Sequence, residues 1–385
     1  MLNVLSIQSD VLGNSVYCNS LRRYFATFED IDLTSCWYRD QQPASSKLVN
    51  KLARVGVPFA GNRDYRRARA EWGYGYVAGR LARRKLAERH YDLLHFHTQV
   101  QAFGSVALMS RTPTVISMDM TAYQIAREGG GRHHATHQPS IAMEHKVLHA
   151  AAHVVAFSEW ARRSVLEEHG LPEDKVTAIL PGTRLDAFAP PLFDRHQKPR
   201  ILFVGGDFPR KGGWDLLAVF AEELADVAEL HLVTSFPIAT PLPRNVVVHP
   251  GISVYSEPWH TLFRNADLFV MPSYAEALGH VFQEAAGYGL ALIGSNVGGI
   301  PEMVLDGENG YVIEPGDRNA LSRRLTSLIE NPETLLRFRR RSLEIARQHF
   351  DASRNFRKMA DLFQRVAGVA APPSEENRTA RLFSL

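Results

Sequence analysis

Two glutamates, Glu276 and Glu284, stand eight positions apart in DLFVMPSYAEALGHVFQEAAGYG, the stretch from Asp267 to Gly289. The apolar run Leu268 to Met271 ends at Pro272 and Ser273, as a short buried parallel strand does. Helical periodicity begins near Gly279 and runs to the Gly287–Gly289 break. Glu276 then sits in the loop behind the strand and Glu284 in the second turn of the helix. The backbone N–H groups of Gly279, His280 and Val281, just after Leu278, point out of the helix N-terminus, where anionic phosphate is favoured. Gly279 lets a ligand approach the backbone closely. One acid beside a phosphate site and a second about a turn further on suit a molecule with an anionic middle and a sugar at each end. Two glutamates at this spacing are also common on ordinary solvated helices, so the spacing needs support from its surroundings.

A pair of cations supplies part of that support. Arg210 and Lys211 lie in GGDFPRKGGWDLL, after a strand at Ile201 to Val204. Two cations at a strand end can neutralise a diphosphate leaving group without a metal.

The stretch from Pro272 to Asp317, PSYAEALGHVFQEAAGYGLALIGSNVGGIPEMVLDGENGYVIEPGD, closely resembles the donor-binding half of the retaining family 4 glycosyltransferases. There the two-glutamate motif is followed by a Gly-Gly-x-Pro-Glu loop and a glycine turn, here Gly298–Gly299, Pro301–Glu302 and Asp306–Gly310. The resemblance continues more weakly over most of the chain. It implies a GT-B fold and transfer of a sugar from a UDP- or GDP-type donor to an acceptor hydroxyl, with retention. Glu276 would hold the donor sugar, Glu284 the ribose, and Arg210 and Lys211 the diphosphate. Ser253, with Gly251 and Ile252, falls where the family holds the base, and Gly13 in the first loop where it faces the donor. Asp119 stands where many members have histidine, and Arg184 where an acid is usual. His97, Tyr123 and His133 are acceptor-side candidates. No cofactor beyond the nucleotide sugar and no metal is implied, and the acceptor is a sugar, a lipid-linked sugar or a small molecule. Two other readings stay open: a protein that binds a nucleotide sugar without transferring it, and another enzyme on the same fold, such as an epimerase or a phosphorylase.

The elements that must position these residues follow from the alternation of strand and helix patterns. Of the 385 residues, 45% are hydrophobic and 22% charged, which allows two domains of ordinary size. PPLFDRHQKP, residues 190–199, reads as the linker. The expectation is a doubly wound α/β domain for acceptor binding over 1–192 and one for the nucleotide sugar over 193–350, the two facing a cleft. A helix over 351–370 returns to the first domain, and 371–385 reads as a disordered tail.

Between Lys47 and Arg89 twelve basic residues oppose three acidic ones, with Trp72, Tyr74 and Tyr76 interleaved. This is either a solvated helix face or a peripheral contact with anionic lipid or an acidic acceptor. No recognition motif for nucleic acid accompanies it. His145 and His149, four apart on a helix, have a spacing that can hold a metal, but no carboxylate or cysteine completes the set. Two cysteines, no apolar run of 18 residues and a first segment that reads as a strand point to a cytoplasmic protein, with peripheral attachment at the inner face of the membrane open.

Overall fold

The computed structural model describes residues 1–9, 14–37, 65–128, 134–188, 193, 197–238 and 241–369. Gly13 and His133, and residues 47–64 of the basic segment, lie outside them. The contacts divide the chain into two compact units, one of 1–156, 162–179 and 356–385, the other of 157–161 and 180–355.

The first unit is built on a six-stranded sheet: β1 (Leu2–Gln8), β2 (Ile31–Trp37), β3 (Leu93–His97), β4 (Thr114–Met118), β5 (His153–Ala156) and β6 (Val176–Ala178). Their order is β2-β1-β3-β4-β5-β6 and every pairing is parallel. β3 and β4 are buried along their whole length, as strands covered on both faces must be. Polar side chains inside this sheet satisfy one another. His95 Nδ1 shares a bond of 2.9 Å with Ser6 Oγ, and its Nε2 one of 2.9 Å with Ser117 Oγ. Burial holds His95 well below the usual histidine range, so it works as a neutral linker between strands.

The long helix Arg66–Glu88 packs through glycines on the short helix Gln99–Ala102 and the turn that follows it. A Cβ on Gly75 or Gly79 would lie 2.9 Å or less from the backbone of Val100 or Gly104. Trp72 and Tyr76 of this helix are half-exposed.

The closing helix Ala352–Val366 is amphipathic, and from Phe356 onward it belongs to the first unit. Phe356 stacks on Tyr24 and meets Tyr17, while Phe363 lies against Phe25 and His95. Arg357 makes a two-pronged contact with Asp30 at 3.1 and 2.9 Å, and Gln364 adds a third bond at 2.7 Å.

The second unit has its own parallel sheet: β7 (Arg200–Val204), β8 (Glu229–Val233), β9 (Val246–His249), β10 (Leu268–Met271), β11 (Ala291–Ser295) and β12 (Gly310–Ile313). The order is β12-β11-β10-β7-β8-β9, so the chain reverses direction across the sheet between β7 and β10. Ligands of open α/β sheets bind at the carboxyl ends of the strands at such a reversal. The unit begins at Leu180, before the Pro-rich stretch, because Thr183 exchanges backbone bonds with Phe350 and Ala352, and Leu185 and Phe188 cover Gly287.

Phe356→Ala should cost about 3–5 kcal/mol, as removal of a buried aromatic does. Urea unfolding followed by circular dichroism checks this, and a change below about 1 kcal/mol would deny the closing helix its anchoring role.

Candidate active site

β7 and β10 are neighbours in register, Leu268 against Ile201 and Phe269 against Leu202. The loops that leave their carboxyl ends therefore run side by side, although 65 positions separate Lys211 from Glu276. Two glycines let the first loop close. A Cβ on Gly205 would lie 2.5 Å from the Lys211 stem, and one on Gly212, at φ +72°, 2.0 Å from the Pro272 carbonyl oxygen. The result is a cluster of charge. Lys211 Nζ donates to Glu276 Oε2 at 2.9 Å, and an Arg210 guanidinium nitrogen stands 3.5 Å from the same oxygen. Arg210 also bonds the Asp207 carboxylate and the Ala275 carbonyl, which fixes its reach.

The Gly298–Gly299 loop backs this cluster. Gly298 has φ +56°, and a Cβ there would fall 1.8 Å from the Glu276 carbonyl oxygen, while Gly299 N–H donates to Ala277 O at 2.9 Å. Glu302, from the same loop, accepts the N–H groups of Glu159 and Trp160, both at 2.8 Å.

The helix behind Glu276 runs from Val281 to Gly287, later and shorter than its periodicity suggests. Gly279, at φ +74°, turns the chain first, so Glu284 falls in the first turn and not the second. Phe282 N–H returns to the Gly279 carbonyl, which leaves the N–H groups of His280 and Val281 ahead of the first bonded turn. Leu278 is buried. Burial pushes His280 down to about 4, so its imidazole is neutral at physiological pH. His280 Nε2, Ser273 Oγ and both amide atoms of Gln283 are buried with no hydrogen-bond partner among the described residues. Gln283 is a polar group that sequence reading did not single out, because nothing in its spacing shows that it is buried.

Glu284 is 5% exposed. Burial pushes its carboxyl up to about 7, and a hydrogen bond from Tyr255 pulls it back only in part. Tyr255 was also missed. The neighbouring expectation, Ser253, is exposed, and its carbonyl accepts from Ser256 in the turn before the next helix. Tyr255, at φ +62°, turns its ring inward instead. Arg184 lies over that ring at 5.4 Å.

In the first unit the candidates separate. His97 is fully buried, its Nδ1 within 3.0 Å of Ser117 Oγ and its ring 4.3 Å from Tyr17, so it belongs to the polar interior of the sheet. Asp119, at the end of β4, is half-buried and lines a cavity of about 200 Å³ with Gln99 and Glu144. Tyr123 sets the edge of its ring against His169. The rings of His145 and His149 lie 4.2 Å apart and tilted, while Glu144, one position before His145, bonds His169 at 2.8 Å. Among the described residues no group of three His, Cys, Asp or Glu is placed to hold a metal.

Comparison with known proteins decides the family. The model for "Glycosyltransferase Family 4" matches residues 15–187 and that for "Glycosyl transferases group 1" matches residues 188–344. The chain belongs to the family 4, group 1 glycosyltransferases. It is 25% identical over 273 residues to a D-inositol 3-phosphate glycosyltransferase of Streptomyces scabiei, covering 63% of this chain and 61% of that protein. A namesake from Geodermatophilus obscurus is 28% identical over 261 residues, covering 59% and 57%. The chain thus spans about three fifths of these relatives' length. Among solved structures, sucrose-phosphate synthase from Thermosynechococcus elongatus superposes with a TM-score of 0.74 at 18% identity, over 96% of this chain and 100% of that one. Anabaena HepE in complex with UDP and glucose gives 0.66 at 14%, over 95% and 100%. At these identities the two structures show the fold alone, and that fold is GT-B.

Glu284 makes a checkable statement about stability. A carboxyl whose folded value is raised from 4.5 to about 7 binds more protons folded than unfolded. Stability therefore falls as pH rises through that window. Glu284→Gln should match the wild type near pH 4.5 and be more stable by about 1–3 kcal/mol at pH 8, read by denaturant unfolding at both values. Equal stability at pH 8 would mean that Glu284 is not held in a protonating environment.

Proposed function

We propose that this protein transfers a sugar from a nucleoside diphosphate sugar, of UDP or GDP type, to an acceptor hydroxyl with retention and without a metal. The observation that carries the reading is the cluster of Arg210, Lys211 and Glu276 over the carboxyl ends of β7 and β10, with Glu284 buried behind it. Lys211 and Arg210 would meet the negative charge that develops on the departing diphosphate, worth most in a site shielded from water. Their present partner, Glu276, would exchange part of that contact for the hydroxyls of the donor sugar and hold it for attack. The free N–H groups at His280 and Val281 would add dipolar donors to the phosphates. Glu284 would accept the ribose hydroxyls, which favour its charged form. The departing phosphate would take the acceptor's proton, since the site needs no side-chain base for that step. Asp119 would face the acceptor, where it can orient a hydroxyl. The relatives' names make an inositol-type acceptor the natural first trial.

Turnover of UDP- and GDP-sugars with an acceptor panel tests this. Lys211→Ala and Glu276→Gln should each lower kcat by about 10²–10³. Nucleotide release from no donor under any acceptor would overturn the transferase reading, and full activity in both variants would remove these residues from the chemistry.

The setting is also part of the proposal. Cys18 and Cys36 are buried and not joined in a disulfide, which suits a reducing cytoplasm, and among the described residues no helix is long and apolar enough to cross a membrane. The helix Arg66–Glu88 presents Trp72 and Tyr76 among Arg66, Arg69, Arg80 and Arg83, a face suited to peripheral contact with anionic lipid. Sedimentation with phosphatidylglycerol vesicles should pull down the wild type, and Trp72→Ser with Arg69→Ser should weaken this about tenfold or more. Equal binding to phosphatidylcholine vesicles would count against the charge-led contact.

A further inference from the structure

The cavity beside Asp119 has a chemical bias of its own. It lies in the first unit, among the ends of β3 and β4 and the helices Arg66–Glu88 and His134–Ala150. Gln99, which is 5% exposed, lines it. The Gln99 amide nitrogen donates to the Met120 carbonyl at 2.9 Å and to Glu144 Oε1 at 2.7 Å. Both partners can only accept, so this orientation of the amide is the one the bonds require. Gln99 Oε1 is then buried with no hydrogen-bond partner among the described residues. A buried carbonyl oxygen in that state is costly until something donates to it.

The charges around it have the same bias. Among the described residues three carboxylates line the cavity, Glu71, Asp119 and Glu144, against one guanidinium, Arg67. Arg67 gives its Nε to Glu71 Oε1 at 2.7 Å, and the other Glu71 oxygen takes the Ser140 hydroxyl. Glu144 is committed to Gln99, His169 and the Ala122 N–H. The described lining is therefore rich in acceptors and net negative. A phosphate brings only acceptors and more negative charge, whereas a hydroxyl-bearing ring brings donors.

We propose that this cavity takes a polyol through a face that carries no phosphate, with Gln99 Oε1 and Asp119 accepting its hydroxyl protons. In this the chain departs from the inositol 3-phosphate named for its relatives. The word acceptor for this polyol rests on the transferase reading; the binding preference does not.

Direct calorimetric titration tests it, using myo-inositol against inositol 3-phosphate and glucose against glucose 6-phosphate, with UDP titrated in parallel. At least one unphosphorylated probe should bind about tenfold or more tightly than its phosphate, the scale of one unfavourable charge pairing. Gln99→Met should weaken that probe by about tenfold, since it removes the buried acceptor. Asp119→Asn, at the half-buried rim, should narrow the gap by improving phosphate binding, and it carries the test if Gln99→Met does not fold. Phosphates binding as tightly as their parents, no binding by any polyol, or an unchanged gap in Asp119→Asn would each overturn the proposal. UDP binding with the wrong polyol preference would leave the transferase reading standing, and the right preference without nucleotide binding would do the reverse.

Discussion

The parallel pairing of β7 with β10 is the constraint on which the candidate active site depends. Strands about 5 Å apart and in register deliver the loops at their carboxyl ends to the same place, whatever their separation in the chain. Lys211 and Glu276 meet for that reason. The contact also requires backbone where a side chain would ordinarily be. Gly205, Gly212 and Gly298 stand at positions where a Cβ would strike Lys211, Pro272 or Glu276. These glycines are spaced through the sequence without an obvious pattern, yet they surround one small volume of the second unit.

The first unit solves a different problem. Its sheet carries polar side chains where parallel strands are usually apolar, and each of Ser6, His95, Ser117 and His97 is held by another. Such a network fixes strand register as well as apolar packing does, provided its members are satisfied. Glu144 plays the same part among the helices, joining Gln99, Ala122 and His169. Two atoms at the edge of this network, the Gln99 carbonyl oxygen at the cavity wall and His169 Nδ1, have no hydrogen-bond partner among the described residues.

Stability and function pull apart at Glu284. A carboxyl buried without a cation near it costs free energy when charged, and hydrophobic residues of similar size would pack at less cost. The fold keeps it bonded to Tyr255, in the first turn of the helix Val281–Gly287. Such a group is expected where a ligand supplies the missing donors, and the atoms of Ser273, His280 and Gln283 that have no partner among the described residues fit the same pattern.

Much of this was legible in the amino-acid order itself. Apolar runs located β7 and β10 to within about one residue, since buried parallel strands are short apolar runs ended by Gly, Pro or polar residues. Glu276, Glu284, Arg210 and Lys211 were identifiable because their motifs are local. Three things were decided only by the tertiary structure. The division of the chain at Leu180 follows from Thr183 bonding residues 350 and 352, a pairing no composition shift reports. The inward turn of Tyr255 in place of Ser253 depends on a backbone at positive φ that a tyrosine seldom adopts. The burial of His97, at a strand end that a linear reading places beside the ligand, comes from Tyr17 covering it from another element. Local sequence determines which segments are strands and which residues could do chemistry. Which side chains face a ligand depends on what packs over them, and that partner is chosen from anywhere in the chain.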